Sequence, residues 1–198
     1  MEIENLFPTA VGQIQKESLV SAKEKMFLRG LKYIPNKSNQ ISENNYLLDA
    51  PELSNLRQWI QEAVEKYFVK VYCPESEVSL RITQSWCNTT SKGKSHHEHT
   101  HPNSFVSGVF YIQTNADDRI QFFKSTYRML EVQTKDYNAW NSQTWWLPVE
   151  EGALLLFPSS LQHSVPPVEG EKDRISLSFN TFPVGDLGRN VFLNELRV

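Results

Sequence analysis

The sequence predicts a mainly β fold, a sandwich or barrel buttressed by N-terminal helices, and two observations carry that expectation. Apolar residues recur at helical spacing up to residue 72, and from residue 77 the period falls to two, in short segments separated by turn residues. No alternation of helix and strand follows, which removes the βαβ folds. The 198 residues, 39% hydrophobic and 12% aromatic, are enough for a packed core and exclude a disordered chain. No repeat, low-complexity tract or interdomain linker divides them. We therefore expect one domain over residues 1–198, with a helical buttress at about 17–72 and a strand core at about 77–183.

The elements follow in order. Residues 17–34 place Leu19, Ala22, Met26 and Leu31 at partly helical spacing that stops before Pro35 and Asn36, a short helix. Residues 51–72 make a stronger one, opened by Pro51 and striped by Leu53, Leu56, Ile60, Val64, Tyr67, Phe68 and Val71. From there Val78, Leu80, Ile82, Gln84, Trp86 and Asn88 alternate with Ser79, Arg81, Thr83, Ser85 and Cys87, as in a half-buried strand. Further strands are expected at 105–114, 119–123, 129–134, 153–157 and 174–182, with turns at 115–118, 151–152 and 166–173. In the last strand Ile175, Leu177 and Phe179 take one face, and Arg174, Ser176, Ser178 and Asn180 the other. The aromatic stretch 137–146 borders a substrate entrance on this reading, with at least one of Trp145 and Trp146 in the core.

Charge and cysteine content narrow the function. A net charge of -3, with 20 Lys and Arg scattered along the chain, gives no reason to bind nucleic acid. No apolar run approaches the roughly 20 residues of a membrane span, and MEIENLFPTA has neither a basic start nor an apolar signal core, so a cytoplasmic protein without membrane partners is expected. Cys73 and Cys87 form no CxxC pair and are expected as buried free thiols.

The histidines point to chemistry. His96, His97, His99 and His101 fall within six residues, and His163 stands alone after the apolar run ALLLF and a turn. Residues i and i+2 of a strand face the same way, with Cα atoms roughly 6.6 Å apart, so His99 and His101 can hold one ion and His163 can supply a third imidazole. A solvated His-rich loop is the competing reading of the cluster. Arg174 beside Ser176 suits a carboxylate, through a planar fork of donors and one hydroxyl.

In order, HTHP (His99 to Pro102), SGVFYI (Ser107 to Ile112), EGALLLFPSSLQHSV (Glu151 to Val165) and RISLSFN (Arg174 to Asn180) resemble the 2-oxoglutarate and Fe(II)-dependent oxygenase superfamily. The chain looks most like a small bacterial and phage family of these oxygenases that also opens with an LFPT-like segment, here Leu6 to Thr9. The resemblance implies a double-stranded β-helix, the cupin-like jelly roll. It implies Fe(II) on His99, His101 and His163, and 2-oxoglutarate as cosubstrate on Arg174, Ser176, Tyr111 and Asn88. The implied activity is a dioxygenase that hydroxylates an unactivated C–H of a peptide side chain or small molecule and releases succinate and CO2. The implied partners are 2-oxoglutarate, dioxygen and that unidentified substrate, with a homodimer also admitted.

One departure stands out. The superfamily usually supplies a carboxylate as second ligand, in H-x-D or H-x-E, whereas His101 makes a neutral three-His set. His96 and Glu98 offer a second register that would restore a carboxylate. Two rival functions stay open, a cupin-like three-His enzyme that works without 2-oxoglutarate and a non-catalytic jelly-roll binding module.

Overall fold

The structure is a computed structural model that describes residues 1–18, 20–75, 77–124 and 132–198. In chain order the elements are β1 (Gly12–Gln15), α1 (Ala22–Arg29), β2 (Tyr33–Pro35), β3 (Gln40–Ser42), α2 (Ser54–Tyr72), β4 (Ser79–Thr90), β5 (His96–His99) and β6 (Val106–Gln113). After these come β7 (Arg119–Phe123), β8 (Thr144–Pro148), β9 (Ala153–Pro158), β10 (His163–Val165), β11 (Arg174–Val184), β12 (Asp186–Leu187) and β13 (Leu196–Arg197). A seven-stranded sheet runs β1-β9-β6-β11-β4-β3-β2, and a four-stranded sheet runs β5-β10-β7-β8.

Local chemistry explains the helices. Ser21 caps α1 in a reciprocal box with Glu24, and Gly30 closes it, so the helix is shorter than the span 17–34. Leu19 lies outside the described residues. A 3₁₀ turn at Pro51–Leu53 leads into α2, which buries Leu56, Ile60, Val64, Tyr67 and Phe68 along one stripe. No described helix is long and apolar enough to cross a membrane.

Two cores make three layers. One lies between α2 and the large sheet and holds Leu80, Cys87, Phe110, Leu154, Leu156, Leu177 and Phe179. The other joins Val109 and Tyr111 of β6 and Leu155 and Phe157 of β9 to Ile120 and Phe122 of β7, so it fills the space between the two sheets. The near-continuous apolar strands β6 and β9 are the ones with a core on each face. A side chain on the inner face of β4, β6 or β11 therefore points between the sheets.

Several expectations change. The N-terminal part is not only a helical buttress, because β1 pairs with β9 at one edge of the large sheet and the β2-β3 hairpin extends the other through β4. Strict alternation along β4 is broken by a bulge, seen as a register shift against β11 between Phe179 and Thr181. Val78, Leu80 and Ile82 consequently pack toward α2, while Trp86 and Asn88 face the opposite way. Trp145 and Trp146 are both exposed, because β8 is the edge strand of the small sheet. Cys73 is exposed and ends α2 in the left-handed conformation; Cys87 is buried as expected. Of the strand expected at 129–134, residues 129–131 lie outside the described residues and 132–134 are not strand.

Candidate active site

The inner face of the large sheet presents its polar residues in rows. Ser176 of β11 sits in register with Asn88 of β4 on one side and Tyr111 of β6 on the other, and Arg174 is opposite Thr90. All four residues expected to hold a cosubstrate line a single cleft, together with His96, His99, His101 and His163.

The small sheet and the loop after β5 supply the imidazoles. His99 and His163 face each other across the antiparallel β5-β10 pair, and His101 lies just beyond the end of β5, held by a hydrogen bond from its backbone N–H to the Ser159 carbonyl. The donor nitrogens of His99, His101 and His163 fall within 4.8 Å of one another. His101 is not on a strand with His99 as expected, since the chain leaves the sheet after His99, and the two imidazoles nevertheless come together.

Hydrogen bonding sets which nitrogens are free. His99 Nδ1 is 2.8 Å from the His97 carbonyl and His163 Nδ1 is 2.9 Å from that of Leu161. A carbonyl only accepts, so each Nδ1 carries the proton and each Nε2 turns a lone pair into the cleft. His101 Nε2 lies 3.3 Å from His163 Nε2. Two nitrogens about 2.1 Å from one ion at octahedral to tetrahedral angles stand about 3.0 to 3.4 Å apart, so this pair is already at coordinating separation.

The site is uncharged at neutral pH on the imidazole side. Burial, reinforced by the neighbouring imidazoles, pushes His101 down to about 3 and His163 down to about 4; burial also lowers His99. His96, stacked on His99 at 4.6 Å and 15°, is likewise pushed to about 3, mainly by burial. Neutral imidazoles are the form that ligates a metal, so a divalent ion would meet no bound protons there. The second register is not assembled: Glu98 is exposed and accepts a hydrogen bond from Gln162, and neither it nor His96 joins the cluster.

The opposite end of the cleft suits a carboxylate. The Tyr111 hydroxyl is fully buried with no hydrogen-bond partner among the described residues, and burial raises its pKa. A buried hydroxyl without a partner is costly, and an acidic ligand in the cleft would satisfy it. Arg174 is 3% exposed, but its Nη1 donates to Asp118 Oδ1 at 2.9 Å and its Nη2 to the Pro166 carbonyl at 3.1 Å. In the sequence Asp118 stands only as the last residue of the 115–118 turn. Its partnership with Arg174 exists because the fold brings the start of β7 against β11, which no local signal announces.

Comparison with known proteins bears on the same region. Residues 84–180 match the model of the family described as "Putative 2OG-Fe(II) oxygenase". No curated protein sequence matches the chain. Among solved structures, the chain is similar to an oxidoreductase of the 2OG-Fe(II) oxygenase family from Burkholderia pseudomallei, at 12% identity over 86% of this chain and 83% of that chain, with a TM-score of 0.60. It is similar to HygX from Streptomyces hygroscopicus with nickel, 2-oxoglutarate and hygromycin B bound, at 13% identity, 87% and 82% coverage and a TM-score of 0.56. It is similar to a Pseudomonas putida prolyl-4-hydroxylase at 12% identity, 87% and 92% coverage and a TM-score of 0.55. These identities support the jelly roll and nothing finer. The family match runs from within β4 into β11 and contains all three clustered imidazoles, so residues 84–180 carry the 2OG-Fe(II) oxygenase domain to which that family model corresponds.

Proposed function

We propose that the protein is a cytoplasmic dioxygenase that holds Fe(II) on His99, His101 and His163, binds 2-oxoglutarate between that site and Tyr111 with Arg174, and hydroxylates an unactivated C–H of a peptide or small molecule. Overall, 2-oxoglutarate, dioxygen and R–H become succinate, CO2 and R–OH, the iron supplying the oxidative chemistry when bound. The observation that carries this reading is the row Tyr111, Ser176, Asn88, in which the buried Tyr111 hydroxyl, without a partner among the described residues, stands beside two polar side chains in the same cleft as three convergent imidazoles.

The protein's own residues have positioning tasks. Tyr111 and Arg174 would take the far carboxylate, Tyr111 through its O–H and Arg174 through N–H donors not used by Asp118 and Pro166. Asn88 is fixed by donating from Nδ2 to Ser178 Oγ at 2.9 Å and would orient the other end of the diacid or the substrate. The apolar walls, Val109, Ile120 and Phe157, keep water out of the reacting region. Free thiols at Cys73 and Cys87 agree with a reducing compartment.

Two observations favour the rival, a three-His metal enzyme without cosubstrate. Arg174 is already neutralised by Asp118, and the cleft is narrow, leaving only about 30 Å³ to the centres of water-sized molecules, which crowds a diacid. Anaerobic calorimetric titration of 2-oxoglutarate into metal-loaded protein decides between them. Saturable binding at one site per chain supports the oxygenase; metal binding without cosubstrate binding supports the rival.

A further inference from the structure

His101 lines two cavities, the narrow cleft between the sheets and a wider groove of about 740 Å³. The groove runs from the turn after β5 along the bulged part of β4. The bulge brings Arg81, Gln84 and Trp86 to the same wall, with Tyr46 and Asn45 opposite on the loop that docks on Ser85. Trp86 packs on His101 at 5.7 Å between ring centroids. Asn103 closes the near end with φ of 56°, a left-handed backbone that a non-glycine residue adopts at a cost.

The lining chemistry is selective. No Asp or Glu lines the groove, and Arg81, its one Arg or Lys, makes no ion pair among the described residues. The side-chain amides of Asn45, Gln84 and Asn103 make no hydrogen bond among the described residues, and each offers both a donor and an acceptor, the pair of functions a peptide backbone also carries. Arg81 precedes Trp86 by five strand positions, about 15 Å along the sheet, a distance that four or five extended residues cover. A single amino acid cannot touch both ends.

We infer that this groove binds the prime substrate, and that the substrate is an extended peptide segment whose acidic side chain, read by Arg81, lies about four residues from the residue modified beside His101. This rests on the reading of the three histidines as the iron site. The test is binding and needs no turnover. Fluorescein-labelled nonapeptide pools, degenerate in uncharged residues with a central Glu, Gln or Lys, are titrated by anisotropy into the full chain loaded with Zn(II). A central acid leaves four residues on either side, enough to reach the histidines in either chain direction.

The Glu pool should bind about three- to fivefold more tightly than the Gln pool, the range of an exposed ion pair, and the Lys pool most weakly. Arg81→Gln should abolish the preference and Arg81→Lys should retain it, with unchanged melting because the side chain is exposed. Tripeptides with a central Glu should bind more weakly than the nonapeptides. Equal affinity for the Glu and Lys pools, a preference that survives Arg81→Gln, tripeptides binding as well as nonapeptides, or no binding of any pool would each overturn the assignment. Failure of 2-oxoglutarate to bind in the calorimetric experiment overturns the oxygenase reading instead, whatever the pools do.

Discussion

Arg174 of β11 and Asp118 at the start of β7 form an ion pair, Nη1 to Oδ1 at 2.9 Å, with their side chains 4% and 3% exposed. It ties the large sheet to the small one at the closed end of the cleft. The carboxylate is fully engaged, because Asp118 Oδ2 also accepts from the Asn115 backbone N–H at 2.7 Å. The guanidinium is thus held in one orientation before any ligand arrives, at the expense of the charge it could offer a ligand.

Breaking this pair should damage the fold and not only ligand binding. Arg174→Ala leaves a buried carboxylate without its cation, a loss typically of about 3 to 5 kcal/mol in a chemical denaturation experiment. Replacing both partners, Arg174→Met with Asp118→Leu, should recover much of that loss while leaving metal content intact. If Arg174→Ala melts like the wild type, the pair is not a structural element. Arg174→Lys keeps the charge, so it should fold and weaken 2-oxoglutarate through loss of the planar fork.

Metal content tests the triad directly. One divalent ion per chain should bind, and His99→Ala, His101→Ala or His163→Ala should each lower the stoichiometry measured by elemental analysis after desalting. His97→Ala and Glu98→Ala should retain the ion, since Glu98 is exposed and outside the cluster. Loss of metal in His96→Ala together with Glu98→Ala, with retention in His101→Ala, would transfer the site to the other register.

Tyr111→Phe separates cosubstrate binding from stability. The hydroxyl it removes is buried and has no partner among the described residues, so denaturation midpoints should stay level or rise. Affinity for 2-oxoglutarate should fall by about tenfold, the equivalent of one hydrogen bond of about 1.4 kcal/mol to a charged group. Unchanged affinity would remove Tyr111 from the binding set.

How much of this was legible in the sequence depended on where the physics is local. The strands β6, β7, β9 and β11 are apolar or alternating over five residues or more, and their positions follow within two residues from periodicity. The strands that present His99 and His163, β5 and β10, have four and three residues and are rich in histidine or too short, so no hydrophobic pattern marks them. The polar face of β11 was readable, with Arg174 and Ser176 on it, whereas Tyr111 lies in an almost wholly buried strand and entered only through the family resemblance. The bulge in β4 and the Asp118 partnership are products of pairing between distant segments, which is why alternation misplaced Val78 to Ile82 and left Asp118 as a turn residue.

The metal-free protein should lose stability on mild acidification. His101 and His163 titrate in the folded chain at about 3 and about 4, burial being the first cause, against about 6.5 in an unfolded chain. Between those values the unfolded state binds more protons, so stability is complete above about pH 6.5 and declines as pH falls toward 4. Melting of protein treated with chelator, followed from pH 7.5 to 4.5, should show that slope. A flat profile would mean that the imidazoles are not held neutral by the fold.

The neutral ligand set makes a sharper demand, because a single substitution converts it to the arrangement usual in the superfamily. His101→Asp would place a carboxylate where His101 stands, giving two imidazoles and one negative charge around the ion. The ion should be retained, since the donor count is unchanged and the charge favours a cation. A dianionic cosubstrate arriving at the same ion would meet that added charge at close range, which at a separation of about 4 Å is worth enough to weaken binding by at least about tenfold. Paired titrations of metal and 2-oxoglutarate into wild type and His101→Asp resolve the two effects, with His163→Ala as the metal-deficient control. Slow succinate release in the presence of Fe(II) and dioxygen should follow the cosubstrate occupancy in each variant and vanish in the control. Equal 2-oxoglutarate affinity in wild type and His101→Asp, with metal retained in both, would show that the diacid does not bind at the ion, and the rival without cosubstrate would then account better for the three histidines.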